Sequence, residues 1–122
     1  MQLMTEELRK AFKKYPLYSQ DGKGGDAKVV VKYYLHGSDA TWLITEGDPQ
    51  HGGDWLFHGL VTLGFPDEFS PGDLIWEWGS VSLSELKGVR IGYEGVTIDE
   101  TVWPGKNRVK DLVFDCSLFG RR

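Results

Sequence analysis

With 122 residues, 40% of them hydrophobic and 13% aromatic, the chain has enough apolar mass for one packed core and too little length for two. Its net charge of −4, from 14 basic against 18 acidic side chains, argues against a general nucleic-acid binder, which needs a basic surface. No apolar run approaches the ~18 residues of a membrane span. The segment Met1 to Glu7 has neither the basic nor the apolar region of a signal peptide, so a single cytoplasmic domain over residues 1–122 is expected.

Thr5 reads as a helix N-cap, with Glu6 and Glu7 placed to suit the positive end of the helix dipole. Leu8, Ala11, Phe12 and Tyr15 then fall on one apolar stripe, and Arg9, Lys10, Lys13 and Lys14 form a solvated basic face. Pro16 ends the helix. Residues 19–27 form a glycine-rich turn that is expected to be flexible. Its glycines neither follow a strand nor open a helix, which excludes the usual phosphate cradle.

Lys28 to Leu35 is rich in β-branched and aromatic residues and reads as a strand. Alternation puts Val29, Val31, Tyr33 and Leu35 on one face and Lys28, Val30, Lys32 and Tyr34 on the other. Thr41 to Glu46 returns as a second strand, Trp55 to Leu63 makes a third, and Asp73 to Val81 a fourth. In the fourth, Leu74, Trp76 and Trp78 alternate against Ile75, Glu77 and Gly79.

Ser82-Leu83-Ser84-Glu85 has the spacing of a capping box, and Gly88 offers the exit of a short helix. Val96 to Ile98 and Val109 to Phe114 read as extended segments that pair with the meander. The expected fold class is therefore α+β: an antiparallel meander of about five or six strands, an N-terminal helix on one face and a short helix after the fourth strand.

The chemistry-bearing residues are sparse. His51 and His58 are the candidate metal ligands, but they lie further apart than the usual histidine pairs of zinc sites, and no metal or other cofactor is expected. Glu46 and Asp48, at a strand end, are the candidate catalytic pair; acid–base work would require burial to split their pKa values. Glu77 sits between Trp76 and Trp78 and either faces solvent or lines a ligand face. Ser80, Ser82 and Ser84 have no histidine nearby in sequence, although a triad is assembled by the fold. The lone Cys116 reads as a structural thiol.

Several short motifs together resemble one family. Thr41-Trp42 with Glu46 and Asp48, Phe57 with Gly59-Leu60-Val61, Ser82-Leu83-Ser84-Glu85-Leu86, and Lys110-Asp111-Leu112-Val113-Phe114 fall in the order seen there. The family is that of short domain-of-unknown-function proteins carried by bacterial plasmids, integrative elements and phages. The resemblance spans roughly residues 5–114. It departs at a longer loop from Pro66 to Gly72, at Gly79-Ser80-Val81 where the family has an aromatic pair, and at Trp103 to Lys106. It implies an accessory role in a mobile element.

The leading expectation is a non-enzymatic module that binds another protein, countering a host defence system, with Trp42, Glu46, Asp48, Trp76, Glu77 and Trp78 as binding residues. A small enzyme or nucleotide or metal binder built on Glu46 and Asp48 is the alternative. A single-stranded nucleic-acid binder, using stacked aromatics with Lys10, Lys13, Lys14, Lys28 and Lys32, is less favoured.

Overall fold

The structure, a computed structural model, describes residues 2–113. Helix α1 (Glu6–Lys14) begins where expected: the Thr5 side-chain oxygen accepts the Leu8 amide N–H at 3.2 Å. Strands β2 (Val31–Leu35), β3 (Thr41–Pro49), β4 (Trp55–Thr62) and β5 (Glu77–Ser82) form an antiparallel meander. The chain then makes helix α2 (Leu83–Gly88) and crosses back, so that β7 (Glu94–Ile98) pairs with the far edge of β2 and β6 (Arg90–Ile91) with β7. The six-stranded order is β5-β4-β3-β2-β7-β6. This is the expected α+β architecture. The capping box of α2 is present, with the Glu85 amide donating to Ser82 Oγ and the Ser82 amide to Glu85 Oε1.

Several expected boundaries are corrected. The strand expected over residues 28–35 breaks at Val30. Its first part, β1 (Lys28–Val29), leaves the sheet to pair with β8 (Asn107–Arg108). Val29 therefore packs in a different cluster from Val31, Tyr33 and Leu35. The fourth strand starts at Glu77 rather than Asp73, because residues 63–76 extend beyond the sheet as a hairpin arm. That arm is held by the Ile75 amide on the Phe65 carbonyl (2.8 Å) and the Asp67 amide on the Asp73 carbonyl (2.9 Å). Val109–Leu112 is a short helix, α3, not a strand; Asp111 accepts the Arg108 amide at 2.8 Å and so starts it. Phe114 and Cys116 lie outside the described residues.

The two faces of the sheet are covered differently. On the first, α1 and α2 close over an aromatic core. Phe12 from α1 meets Trp55 and Phe57 of β4 at ring centroid distances of 5.4 and 5.3 Å, and Tyr33 meets Phe57 at 5.9 Å. Leu83 and Leu86 of α2 join the same cluster. Each such large side chain, fully buried, contributes about 1.5–3 kcal/mol. The Tyr33 hydroxyl donates to the Leu3 carbonyl at 2.6 Å, and burial raises its pKa. On the second face, Val109 and Val113 pack with Ala27, Val29, Leu43 and Leu60, and Trp76 lies against them. Among the described residues this smaller cluster leaves part of β3, β4 and β5 without a covering helix, and there the candidate site lies.

Candidate functional site

Strict alternation along β3 would aim Trp42, Ile44 and Glu46 at one face. It would send the carboxylate into the aromatic core, where an uncompensated charge is very costly. The register avoids this. Trp42 opposes Val61 and Ile44 opposes Gly59, but Glu46 opposes His58, so Thr45 is the extra residue of a β-bulge. Beyond it the faces exchange. Gly47 now faces the core opposite Phe57, and Glu46 turns to the other side. No side chain larger than hydrogen fits at residue 47 without displacement, since a Cβ there would lie 2.8 Å from Phe57 and 3.0 Å from Phe12.

The bulge and the segment after α1 satisfy one another's polar groups. Glu46 is only 2% exposed, and its two carboxylate oxygens each accept a backbone N–H at 2.8 Å, from Tyr18 and from Gln20. Gln20, itself buried, donates through Nε2 to the carbonyls of Thr45 (2.7 Å) and Lys28 (2.8 Å) and accepts the Lys28 amide through Oε1. The carbonyl left over by the bulge is thus paired, as a buried backbone group must be. Tyr18 holds a φ of 74°, a left-handed conformation unusual for a tyrosine, where its amide meets Glu46. The turn expected to be flexible is tied to the sheet at this point.

Beside Glu46 the register builds a row across three strands, Glu46–His58–Ser80. His58 Nδ1 lies 3.3 Å from Ser80 Oγ, and its ring stacks on Trp78 at a centroid distance of 6.1 Å and an interplanar angle of 17°. Gln20, Asp21, Thr45, Glu46, His58 and Trp78 line a cavity of about 330 Å³. The row has the residue types of a hydrolytic triad without its connectivity. Both Glu46 oxygens are engaged by backbone amides, and no hydrogen bond or ion pair links Glu46 to His58.

The other expected site residues fall elsewhere. Asp48 opposes Leu56 and borders a separate recess of about 370 Å³ with Arg9, Lys13 and Trp55. Glu46 and Asp48 therefore do not converge on one cavity. His51 is exposed in the short turn before β4, away from the cavity of His58. Among the described residues no group of three or more His, Cys, Asp or Glu side chains is gathered in a way that could hold a metal ion. Trp76 is half-buried against the second cluster, while Trp78 is 42% exposed. Tyr33, Trp42, Trp55 and Phe57 are in the core, and Lys32 pairs with Asp99 at 3.2 Å.

Glu77 is exposed, on the opposite face of β5 from Trp78. It borders an apolar trough of about 510 Å³ lined by Trp42, Val61, Leu63, Phe65 and Ile75, which also reaches Trp78 and Ser80 across the sheet edge. The trough runs along β5, which ends the sheet and, among the described residues, pairs on one side only. Leu63, Phe65 and Ile75 are exposed, and Phe69 near the tip of the arm is 89% exposed.

Sequence reading missed Gln20 and the hairpin arm, and it singled out Ser80 without finding its neighbour His58. Ser80 shares the period-two face of Trp78 and could have been placed beside it. Gln20 carries no signal in a polar, glycine-rich segment.

A small α+β domain whose curled antiparallel sheet carries a polar cavity and an apolar trough beside its edge strand is thus the class of protein. A family model described as "Protein of unknown function (DUF2958)" matches residues 3–109, and the chain belongs to that family. No curated protein and no solved structure matches the chain significantly. No helix among the described residues is long and apolar enough to cross a membrane.

Proposed function

We propose that this domain is a non-enzymatic module that binds another protein along the β5 edge and the hairpin arm. The supporting observation is the trough: Leu63, Phe65 and Ile75 stand exposed beside an edge strand whose outer backbone groups pair with no strand among the described residues. Natural edge strands are usually blunted by charge, bulges or cover. This one carries a single charge, Glu77 at its start, and is otherwise flanked by apolar side chains, the arrangement that receives an added strand and its alternate side chains. The partner is then an extended segment with apolar residues at every second position, and a specific interface of this type buries about 1,200–2,000 Å². The wider setting, a mobile element whose product counters a host defence system, rests on the motif resemblance alone.

The test is a comparison of co-purified proteins for the wild-type chain, the double variant Phe65→Ser/Ile75→Ser, and Lys10→Ala on the far helix. The reading expects a partner held by the wild type and by Lys10→Ala and lost by the double variant. The same partner recovered equally with all three overturns the docking surface. An unchanged phage plating efficiency, when the chain is expressed in a host carrying an active defence system, counts against the anti-defence version.

A further inference from the structure

We infer that the cavity on the other face of β5 is a binding site for a guanidinium group. Glu46 is nine-tenths buried and more, and it lines this cavity. The ion pairs among the described residues join Arg9 to Glu6, Lys32 to Asp99 and Lys110 to Asp26, so among those residues the buried carboxylate has no cationic partner. Buried charges are ordinarily paired. Tethering the Tyr18 and Gln20 amides uses one acceptor position on each oxygen, and a carboxylate has about four. Acceptor capacity therefore remains on both oxygens.

The wall of the cavity narrows the ligand class. Trp78 and His58 stand nearly parallel, offering a flat aromatic surface beside the carboxylate. A guanidinium is planar, stacks on such a surface and presents a fork of N–H donors to a carboxylate. A compact ammonium can use the charge but not the flat wall. An anion is disfavoured by Glu46 and by Asp21 at the rim. The volume of about 330 Å³ is at the small end of ligand sites and suits a side-chain-sized group rather than a nucleotide. The structural duty of Glu46 accounts for its two backbone bonds, but not for a cavity faced with aromatic rings on one side.

The guanidinium comes either from a free small molecule or from an arginine side chain of a bound protein. A ¹⁵N-labelled chain titrated with N-acetyl-arginine amide, its citrulline analogue and its lysine analogue tests the site. The readouts are the Tyr18 and Gln20 amides and the Trp78 indole.

Saturable shifts at all three are expected with the arginine compound, and the neutral citrulline compound should bind at least about tenfold more weakly. Trp78→Ala, at an exposed position, should weaken arginine binding about fivefold while leaving the rest of the spectrum in place. Absent shifts, equal binding of citrulline, or an unaffected Trp78→Ala titration each overturns the proposal; none of these depends on whether Glu46→Gln folds. If the site is upheld, tighter binding of an alanine-flanked arginine peptide than of the amide assigns it to a protein side chain, and weaker or equal binding to a small molecule. Trp78 borders both the trough and this cavity, but Phe65 and Ile75 line only the trough and Glu46 only the cavity, so Phe65→Ser/Ile75→Ser leaves the arginine-induced shifts of the Tyr18 and Gln20 amides in place and the two proposals fail separately.

Discussion

The two faces of the central sheet share strands β3, β4 and β5 yet are built on different principles. The face under α1 is closed: Phe12, Tyr33, Trp55 and Phe57 touch ring to ring, and little but hydrophobic burial holds them. The opposite face, near the bulge, is held by directed hydrogen bonds from Glu46 and Gln20 and leaves a cavity. One inserted residue, Thr45, separates the two regimes. The lesson is that a carboxylate in an apolar strand need not be paired where alternation sends it. A bulge can move it to the face where its acceptors are useful.

The largest expected effect comes from the boundary between the faces. In Gly59→Ala the new Cβ would lie 2.0 Å from the Leu43 carbonyl oxygen and 2.8 Å from Ile44 Cα, and both are backbone atoms that cannot swing aside. The variant should lose more than about 4 kcal/mol, or fail to fold, as read by urea denaturation. A loss below about 1 kcal/mol would mean that β3 and β4 are not so closely opposed. On the closed face, Phe57→Ala removes a fully buried ring and should cost about 3–5 kcal/mol.

On the open face, Glu46→Gln keeps the shape but sets an NH₂ against a backbone N–H donor. A cost of about 1–3 kcal/mol is expected, with the disturbance confined to the segment around Tyr18 and Gln20. If the core amides shift as much as that segment, the contrast between the faces is false.

The smallest effect is a pH dependence beside β2. Burial pushes the Asp99 carboxyl up, but the Thr101 hydroxyl and amide and the Lys32 ammonium outweigh it and hold the pKa below 3.8. A folded-state pKa below the unfolded value stabilises the fold above that value, and the stabilisation is lost as pH falls through the folded pKa. Asp99→Asn should therefore lower stability slightly at neutral pH and flatten the decline below pH 3.8. Parallel wild-type and variant curves of thermal midpoint against pH would refute this.

Much of the fold was legible because its signals are local. The Thr5 cap, the Ser82–Glu85 capping box and the alternating strands each depend on residues a few positions apart. What escaped depends on distant partners. Nothing in Thr45 marks it as a bulge, since the extra residue is defined by what β4 places opposite. The break at Val30 follows from β8, more than seventy residues away in sequence. Val109–Leu112 is too short for periodicity to separate helix from strand. At the site, Glu46 was legible as a residue to watch. Its tie to Gln20 was not, because a glutamine in a glycine-rich turn looks like any solvated polar group.

The central claim is that the buried carboxylate of Glu46 fastens the segment after α1 to the bulged strand. Hydrogen exchange at the Tyr18 and Gln20 amides tests it most directly. The account predicts that both exchange slowly in the wild-type chain, on the scale of the β3–β4 ladder, although they lie outside any helix or strand. Exchange of both at the rate of the exposed turns, in an otherwise folded protein, would contradict it.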